Sequence, residues 1–320
     1  MAIDTQTGYA ATSNVSNVQG AQLLTFSALE YPFLSRVAGR KTSQSSSYSM
    51  SANYTHEDAA QPAITEAASV TAKKAVAYER EEEKNQVQIF QESVVVTYAA
   101  MGSGDRLKIA EDGNSGSAYT SSPLQAAIDN ELAFQTARAQ ERIYRDLEYT
   151  MLNGAGTTYL TKGIVTACTT STVAASSAAL SKGLVDELLQ EMAAAGAYFR
   201  RPVIYANAFQ RSALTKLYEF VPTDRTIGGA SIAQIYTDFG IWEVVYDRFM
   251  AAGSILFADM AYVNVVTKPV PGKDYMPDGL VLLEALGKDG AAERWHLYGE
   301  LGVDYGSQKL HGTLTGLATA

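Results

Sequence analysis

The segment from Ser121 to Gly154, SSPLQAAIDNELAFQTARAQERIYRDLEYTMLNG, constrains this chain more than any other stretch, because it reads as one helix with both ends marked. Ser122 can cap the first turn while Gln125 reaches back to it, and Pro123 holds the first helical position, where a missing N–H costs nothing. Leu124, Ile128, Leu132, Thr136, Ala139, Ile143 and Leu147 recur every three or four residues and form one apolar stripe. Asp129, Glu131, Arg138, Glu141, Arg145 and Glu148 lie mostly off it. Asn153-Gly154 is expected to supply the left-handed residue that ends the run. At about 1.5 Å per residue, roughly 30 residues make a rod of about 45 Å, longer than an ordinary core helix. Its shape suits the core of an α+β enzyme and a structural spine equally well.

The rest of the chain can provide a body for this rod. Of 320 residues, 47% are hydrophobic and 18% charged, which fits one large or two medium domains with real cores. A formal net charge of -9 argues against a surface that grips nucleic acid through its phosphates. The single cysteine, Cys168, excludes an intrachain disulfide framework and a thiolate metal cluster, and a reducing compartment is expected. The first residues, MAIDTQTGYAATSNVSNVQG, lack a basic start followed by an apolar core, so no signal peptide is expected. The most apolar region, Ile241 to Val266, is interrupted by Glu243, Asp247, Arg248, Asp259 and Asn264 and is disqualified as a membrane span, so a soluble protein is expected.

Met1 to about Gln22 is too polar to fold by itself and reads as an arm that needs something outside its own domain to hold it. After an apolar anchor at Leu23 to Val37, Tyr48, Met50, Ala52 and Tyr54 alternate as a strand. Ala77 to Tyr98 repeats the alternation with Val87, Ile89, Val94, Val96 and Tyr98, and the two segments are expected to pair as a long hairpin. THEDAAQPAITEAASVTAKKA between them is small and polar, the exposed end of a projecting flap. A two-stranded ribbon is only marginally stable in water and needs a surface to lie on. The return strand opens with YEREEEKNQ, which suits either a solvated edge that resists aggregation or intersubunit ion pairs. The second reading names Tyr48, Tyr54, Glu79, Arg80, Glu81, Glu82, Glu83 and Lys84 as contacts.

Beyond the long helix, Ser181 caps a helix bearing Leu184, Val185, Leu188, Leu189 and Met192 that ends near Gly196. Pro202 to Ala206 reads as a buried strand, and Asn207 with Gln210 repeats the capping-box pattern. A strand follows in which Trp242, Val244 and Tyr246 alternate against Glu243 and Asp247, completing a compact α+β unit. Ile255 to Val266 is expected to return as a strand. Leu280 to Leu286, the turn Lys288-Asp289-Gly290 and a strand with Trp295, Leu297, Leu301, Val303 and Tyr305 on one face close the chain as a hairpin.

Chemistry is harder to find. The three histidines, His56, His296 and His311, have no metal-ligand spacing from one another or from Cys168. GSGDRLKIA and GNSGSAY do not follow a buried strand as a phosphate loop would. No pair of carboxylates stands out by its surroundings. No catalytic, cofactor-binding or metal-binding residue is expected, although an enzyme with a dispersed site stays open.

The order of polar arm, flap, spine helix, α+β unit and closing hairpin resembles the tailed-bacteriophage major capsid proteins of the Hong Kong 97 type. Four segments sharpen the likeness to their SU-ten-like major head branch: EKNQVQIFQESVVVT (Glu83 to Thr97), RIYRDLEYTMLNGAG (Arg142 to Gly156), YTDFGIWEVVYDR (Tyr236 to Arg248) and YGELGVDYGSQKLHGTLTGL (Tyr298 to Leu317). The resemblance implies an α+β major capsid fold with an N-terminal arm at 1–43 and an extended β-hairpin loop at 44–98. It implies a peripheral domain at 99–177, with spine helix 122–153, an axial domain at 178–252, and a return to the peripheral sheet at 253–320. Pro222, Thr223, Asp224 and Arg225 would then lie near the capsomer axis, and the flap over an adjacent subunit. The implied function is a head protein that self-assembles, as hexamers and pentamers, into an icosahedral shell around double-stranded DNA without reading its sequence. Portal, separate scaffolding and decoration proteins are the implied partners, with no cofactor and no membrane. The implied location is the virion, and the host cytoplasm during assembly. Lys73 and Lys74 lie in the flap, but nothing identifies a cross-linking partner. A cell-encoded, encapsulin-like nanocompartment shell is the alternative of the same fold.

Overall fold

The stripe on the long helix meets a sheet, and that contact organises the larger of two cores. The computed structural model describes residues 31–53, 61–72, 80–98, 131–218, 234–287 and 290–319. In chain order the elements are β1 (Gly39–Thr42), β2 (Ser47–Asn53), the one-turn helix α1 (Glu66–Ser69), β3 (Glu81–Gln86), β4 (Gln88–Thr97), α2 (Glu131–Asn153), α3 (Ile164–Ala167) and β5 (Thr172–Ala174). There follow α4 (Lys182–Ala194), β6 (Pro202–Ala206), α5 (Ala208–Tyr218), β7 (Gln234–Thr237), β8 (Gly240–Tyr246), β9 (Ile255–Asp259), β10 (Asn264–Thr267), β11 (Leu282–Ala285), β12 (Ala292–Asp304) and β13 (Gly312–Thr315).

Helix α2 buries Ala139, Ile143, Leu147, Met151 and Leu152. The expected cap at Ser122 lies outside the described residues. Beneath the helix is a five-stranded sheet in which β1, β10, β12 and β11 follow in order and β4 pairs with β12 along ten residues, from Ala292↔Thr97 to Leu301↔Gln88. Phe90, Val94 and Val96 of β4, with Leu297, Leu301 and Val303 of β12, complete the core. Each large side chain fully buried here contributes about 1.5–3 kcal/mol relative to exposure.

A six-stranded sheet, ordered β5-β13-β9-β6-β8-β7, holds the second core. Leu188, Leu189 and Met192 of α4 pack with Trp242, Phe257 and Leu314. The Trp242 ring stands edge-on to Phe257 at 5.3 Å and to Phe199 at 5.5 Å. As expected, Ser181 Oγ accepts from Leu184 N. Asn207 Oδ1 likewise accepts from Gln210 N at 2.9 Å. The Gln210 side chain does not reach back, however; its amide donates to the Ala252 and Ala318 carbonyls at 3.0 and 2.8 Å.

Four expectations need correction. The flap does not pair along its whole length: β2 pairs only with β3, from Ser47↔Gln86 to Asn53↔Glu81, and a register shift between Ser49 and Ser51 breaks the strict alternation. From Gln88 onward the strand has an apolar face, which the sheet and helix bury and a projecting ribbon would leave in water. Secondly, Ile255 to Val266 is two strands, β9 in one sheet and β10 in the other, so one apolar run feeds both cores. Thirdly, Gly154 does not adopt the left-handed conformation. A Cβ there would lie 2.4 Å from Thr161 O and 2.9 Å from Gly163 N, so close approach of backbone requires the glycine. Finally, Glu148, placed off the apolar stripe, and Asp247, placed opposite Trp242, Val244 and Tyr246, are fully buried.

His311 sits where the sheets join. Its Nδ1 accepts the Asp259 N–H at 3.2 Å, so Nε2 carries the proton and donates to Tyr305 O at 2.7 Å. Burial pushes its pKa down to about 4. Asp259, beside it, accepts from the backbone N–H groups of Arg200, Arg201 and Ala261 at 2.7, 2.9 and 3.1 Å.

Candidate intersubunit surface

The ribbon formed by β2 and β3 is rooted in its own body. Tyr48 donates to Val303 O at 2.8 Å, and Ser51 to Gly306 O at 3.1 Å. Asn85 is the central bolt: its Nδ2 donates to Val303 O at 2.8 Å and Lys162 O at 3.0 Å, while its Oδ1 accepts from Lys162 N at 2.9 Å. Glu83 accepts from Ser307 Oγ at 2.7 Å and Gln308 N at 3.0 Å. Of the sequence-derived contact candidates, Tyr48 and Glu83 are therefore engaged at this root. Burial raises the Tyr48 pKa, consistent with a phenol kept neutral as a donor.

Arg80, Glu81 and Glu82 lie further out, Lys84 lies between Glu83 and Asn85, and all four are exposed. Lys84 pairs with Glu82 at 2.9 Å, and its hydrogen bond, with a smaller one from Ser49, holds the Glu82 carboxyl below its ordinary range. Tyr54, Glu79 and the loop Pro222, Thr223, Asp224 and Arg225 lie outside the described residues. Residues 61–72 are exposed at every position, including Ile64 at 60% and Val70 at 86%. Thr65 Oγ1 caps the single turn α1 by accepting from Ala68 N at 3.3 Å.

The apolar anchor that follows the polar stretch Met1 to about Gln22 is clamped by a buried acid of the spine helix that has a second acid beside it. Glu148 accepts Phe33 N at 2.6 Å and Leu34 N at 2.8 Å. Asp247 accepts Phe249 N at 2.8 Å through Oδ1, while its Oδ2 is buried beside the Glu148 carboxyl without a hydrogen-bond donor among the described residues. Burial, then the neighbouring Asp247 charge, pushes Glu148 up to about 8; burial pushes Asp247 up to about 6. Arg36 adds a fork onto Glu243 of β8 at 2.7 and 3.1 Å. The segment from Phe33 to Arg36 is thus bolted to the spine helix and to the second sheet together.

A third feature is the loop between α2 and α3. Gly154 and Gly163 approach so closely that a Cβ on Gly163 would lie 2.4 Å from Gly154 N. Ala155 and Lys162 form a bridge above them. The loop turns through Leu160 N donating to Thr157 O at 2.9 Å, and Gln86 of the ribbon donates to Leu160 O at 2.8 Å and to Thr157 O. Tyr159 has φ +66° and is 82% exposed.

Sequence reasoning missed Asn85, the Glu148–Asp247 pair and Tyr159. For Glu148 there was a signal: Leu152 lies four residues on, which places the carboxyl beside the apolar stripe. For Asn85 and Tyr159 there was none, since their partners or surroundings are set by tertiary contact.

Among the described residues no group of His, Cys, Asp and Glu could hold a metal ion, and no helix is long and apolar enough to cross a membrane. Cys168 is buried, and burial pushes its thiol up to about 12.

The model of the SU10 major capsid protein family matches residues 5–318. No curated protein matches the sequence. Among solved structures, the chain is similar to the capsid asymmetric unit of cyanophage A-1(L), with TM-score 0.68 and 13% identity over 93% of this chain and 96% of that one. It is similar to the capsid of a native GTA particle, with TM-score 0.58 and 12% identity over 93% and 94%. The SrpI encapsulin of Synechococcus elongatus is a third neighbour, with TM-score 0.56 and 12% identity over 96% of both chains.

Proposed function

The chain belongs to the SU10 major capsid protein family, and on that premise we propose that it is the shell subunit of a tailed-phage head, many copies closing into an icosahedral container for double-stranded DNA. The observation that carries this reading is the family match across nearly the whole chain. The fold alone does not separate a phage head from a nanocompartment, because phage capsids and an encapsulin share it at 12–13% identity. The family does.

The physical features support assembly as the function. A subunit with an exposed, capped turn at the end of a ribbon gains by burying it on a neighbour, and closed symmetry repeats each such contact. In our reading Arg80, Glu81, Glu82 and Lys84, with Tyr54 and Glu79, meet an adjacent subunit, while Pro222 to Arg225 approach the capsomer axis. Hexamers and pentamers, a portal, a separate scaffold and decorating proteins complete the proposal, in the virion and, during assembly, the host cytoplasm. The net charge of -9 suits an inner wall that need not immobilise its genome. The role is structural rather than enzymatic.

The test is to produce the full chain, alone and with its scaffold, and examine it by size exclusion and negative-stain microscopy. Capsomers, sheets or closed particles are expected. A stable monomer or dimer under every condition would overturn the reading, and particles filled with a cargo enzyme instead of DNA would favour the nanocompartment.

A further inference from the structure

The loop between α2 and α3 places a tyrosine in an unfavourable backbone conformation with its side chain in contact with little among the described residues. Thr157 to Leu160 is a hydrogen-bonded turn, and Tyr159, its third residue, has φ +66°. Thr158 has negative φ, so this is a type II turn, whose third position favours glycine or asparagine. A bulky residue there is strained. The ring returns nothing for that strain, being 82% exposed, with no ring contact or hydrogen bond to a described residue. Backbone strain of this kind marks places where the side chain serves an external purpose.

We propose that Tyr159, with Leu160 beside it, is an anchor that a second copy of this chain covers in the assembled shell. The turn beneath it is held rigidly. Gly154 and Gly163 press backbone on backbone, and Gly156, at φ +68°, leaves room that a Cβ would lose to the Lys162 side chain at 2.7 Å. Asn85 bonds both the N–H and the carbonyl of Lys162, and Gln86 bonds Leu160 O. An aromatic side chain presented on a fixed turn loses little freedom on binding, which is what an interface anchor requires.

The occupant follows from the same geometry. Asn85 and Gln86 belong to β3, so the ribbon that is proposed to overlie a neighbour and the turn carrying Tyr159 form one continuous rim. In a shell built from identical subunits, the surface met at that rim in every position is another copy of the chain. The inference rests on the shell reading above.

Tyr159→Gly separates the subunit from the interface, because glycine suits the left-handed turn and removes only the anchor. The variant subunit is expected to melt at or above the wild-type temperature, while the protein concentration needed for assembly rises about tenfold. Tyr159→Asn, which also tolerates the turn, should behave alike, and Tyr159→Phe should assemble as wild type does. Assembly of Tyr159→Gly at wild-type concentrations would overturn the proposal while leaving the shell reading intact. So would a lower melting temperature of the isolated subunit, which would assign the tyrosine an internal role, or normal particles that lose an accessory protein. Failure of the wild type itself to form particles would remove the shell reading and this inference together.

Discussion

The carboxyl groups of Glu148, on the spine helix, and Asp247, at the end of β8, lie together in a site closed to water, where Glu148 holds the backbone of Phe33 and Leu34 and Asp247 that of Phe249. Two buried carboxylates cannot both ionise cheaply, so the pair keeps a proton at pH values where exposed acids have lost theirs. Tyr31, Tyr205 and Arg36 also lie near the pair, and the Arg36 guanidinium is held by Glu243 at 2.7 Å.

The consequence is alkaline sensitivity. Both folded values lie above the unfolded ones, so the folded state binds more protons, and stability is lost as pH rises from about 4.5 through about 8. Asp247→Asn keeps the bond to Phe249 N and can donate to an ionised Glu148. Its melting temperature should fall less between about pH 6 and about pH 9 than that of the wild type. Parallel pH profiles would refute the shared proton.

His311 produces the opposite slope. Burial lowers its pKa to about 4, so the unfolded chain takes up a proton first and stability is lost as pH falls from 6.5 towards about 4. Gln offers an acceptor for Asp259 N and a donor for Tyr305 O without ionising. His311→Gln should flatten the acid limb, worth up to about 3 kcal/mol across that window. Urea unfolding of the isolated subunit at several pH values measures it; an unchanged acid limb would assign the loss to other groups.

Asn85→Ala should release the ribbon before it weakens the body. The change removes the bonds to Lys162 N, Lys162 O and Val303 O, of which Val303 O keeps Tyr48 as a donor, about 2 kcal/mol in all. Limited proteolysis should cut within 81–86 much faster, with a small fall in melting temperature. Equal protection of the ribbon in variant and wild type would show that Tyr48 and Glu83 suffice as anchors.

The two glycine sites predict opposite signs. A Cβ on Gly163 meets Gly154 N at 2.4 Å and Leu152 O at 2.6 Å, backbone that cannot move aside, so Gly163→Ala should cost about 2–3 kcal/mol. Gly183 lies in α4, where a Cβ meets only Ser181 Oγ at 3.9 Å. Gly183→Ala should therefore stabilise by about 0.5–1 kcal/mol, chiefly by restricting the unfolded chain. Denaturant midpoints of the two variants decide both signs.

What the sequence made legible were features that local pattern dictates. The stripe on α2, the Ser181 and Asn207 caps and the alternation of β12 each follow from residues a few positions apart. The misreadings share a cause. Gln88 to Thr97 leaves the ribbon because a partner strand, β12, lies some two hundred residues away in sequence. Gly154 ends the helix through contact with Gly163 rather than through its own dihedral preference. Glu148 is buried because backbone donors from Phe33 and Leu34 arrive from more than a hundred residues earlier. Such partners leave no periodic trace.

The outer ribbon offers the most direct test of charge in assembly. Glu81 and Glu82 are exposed, and the partners of Glu82 among the described residues, Lys84 and Ser49, belong to its own ribbon, so reversing both charges should leave the melting temperature of the isolated subunit nearly unchanged. If the run faces oppositely charged groups of a neighbour, Glu81→Lys with Glu82→Lys should weaken particles strongly at low salt. The difference should shrink as ionic strength rises towards about 1 M, where charges separated by more than about 3 Å are screened. Light scattering of wild-type and variant particles across a salt series reads both effects. Particle stability identical to wild type at every salt concentration would return the run to a solvated edge that merely keeps the ribbon from pairing with the wrong strand.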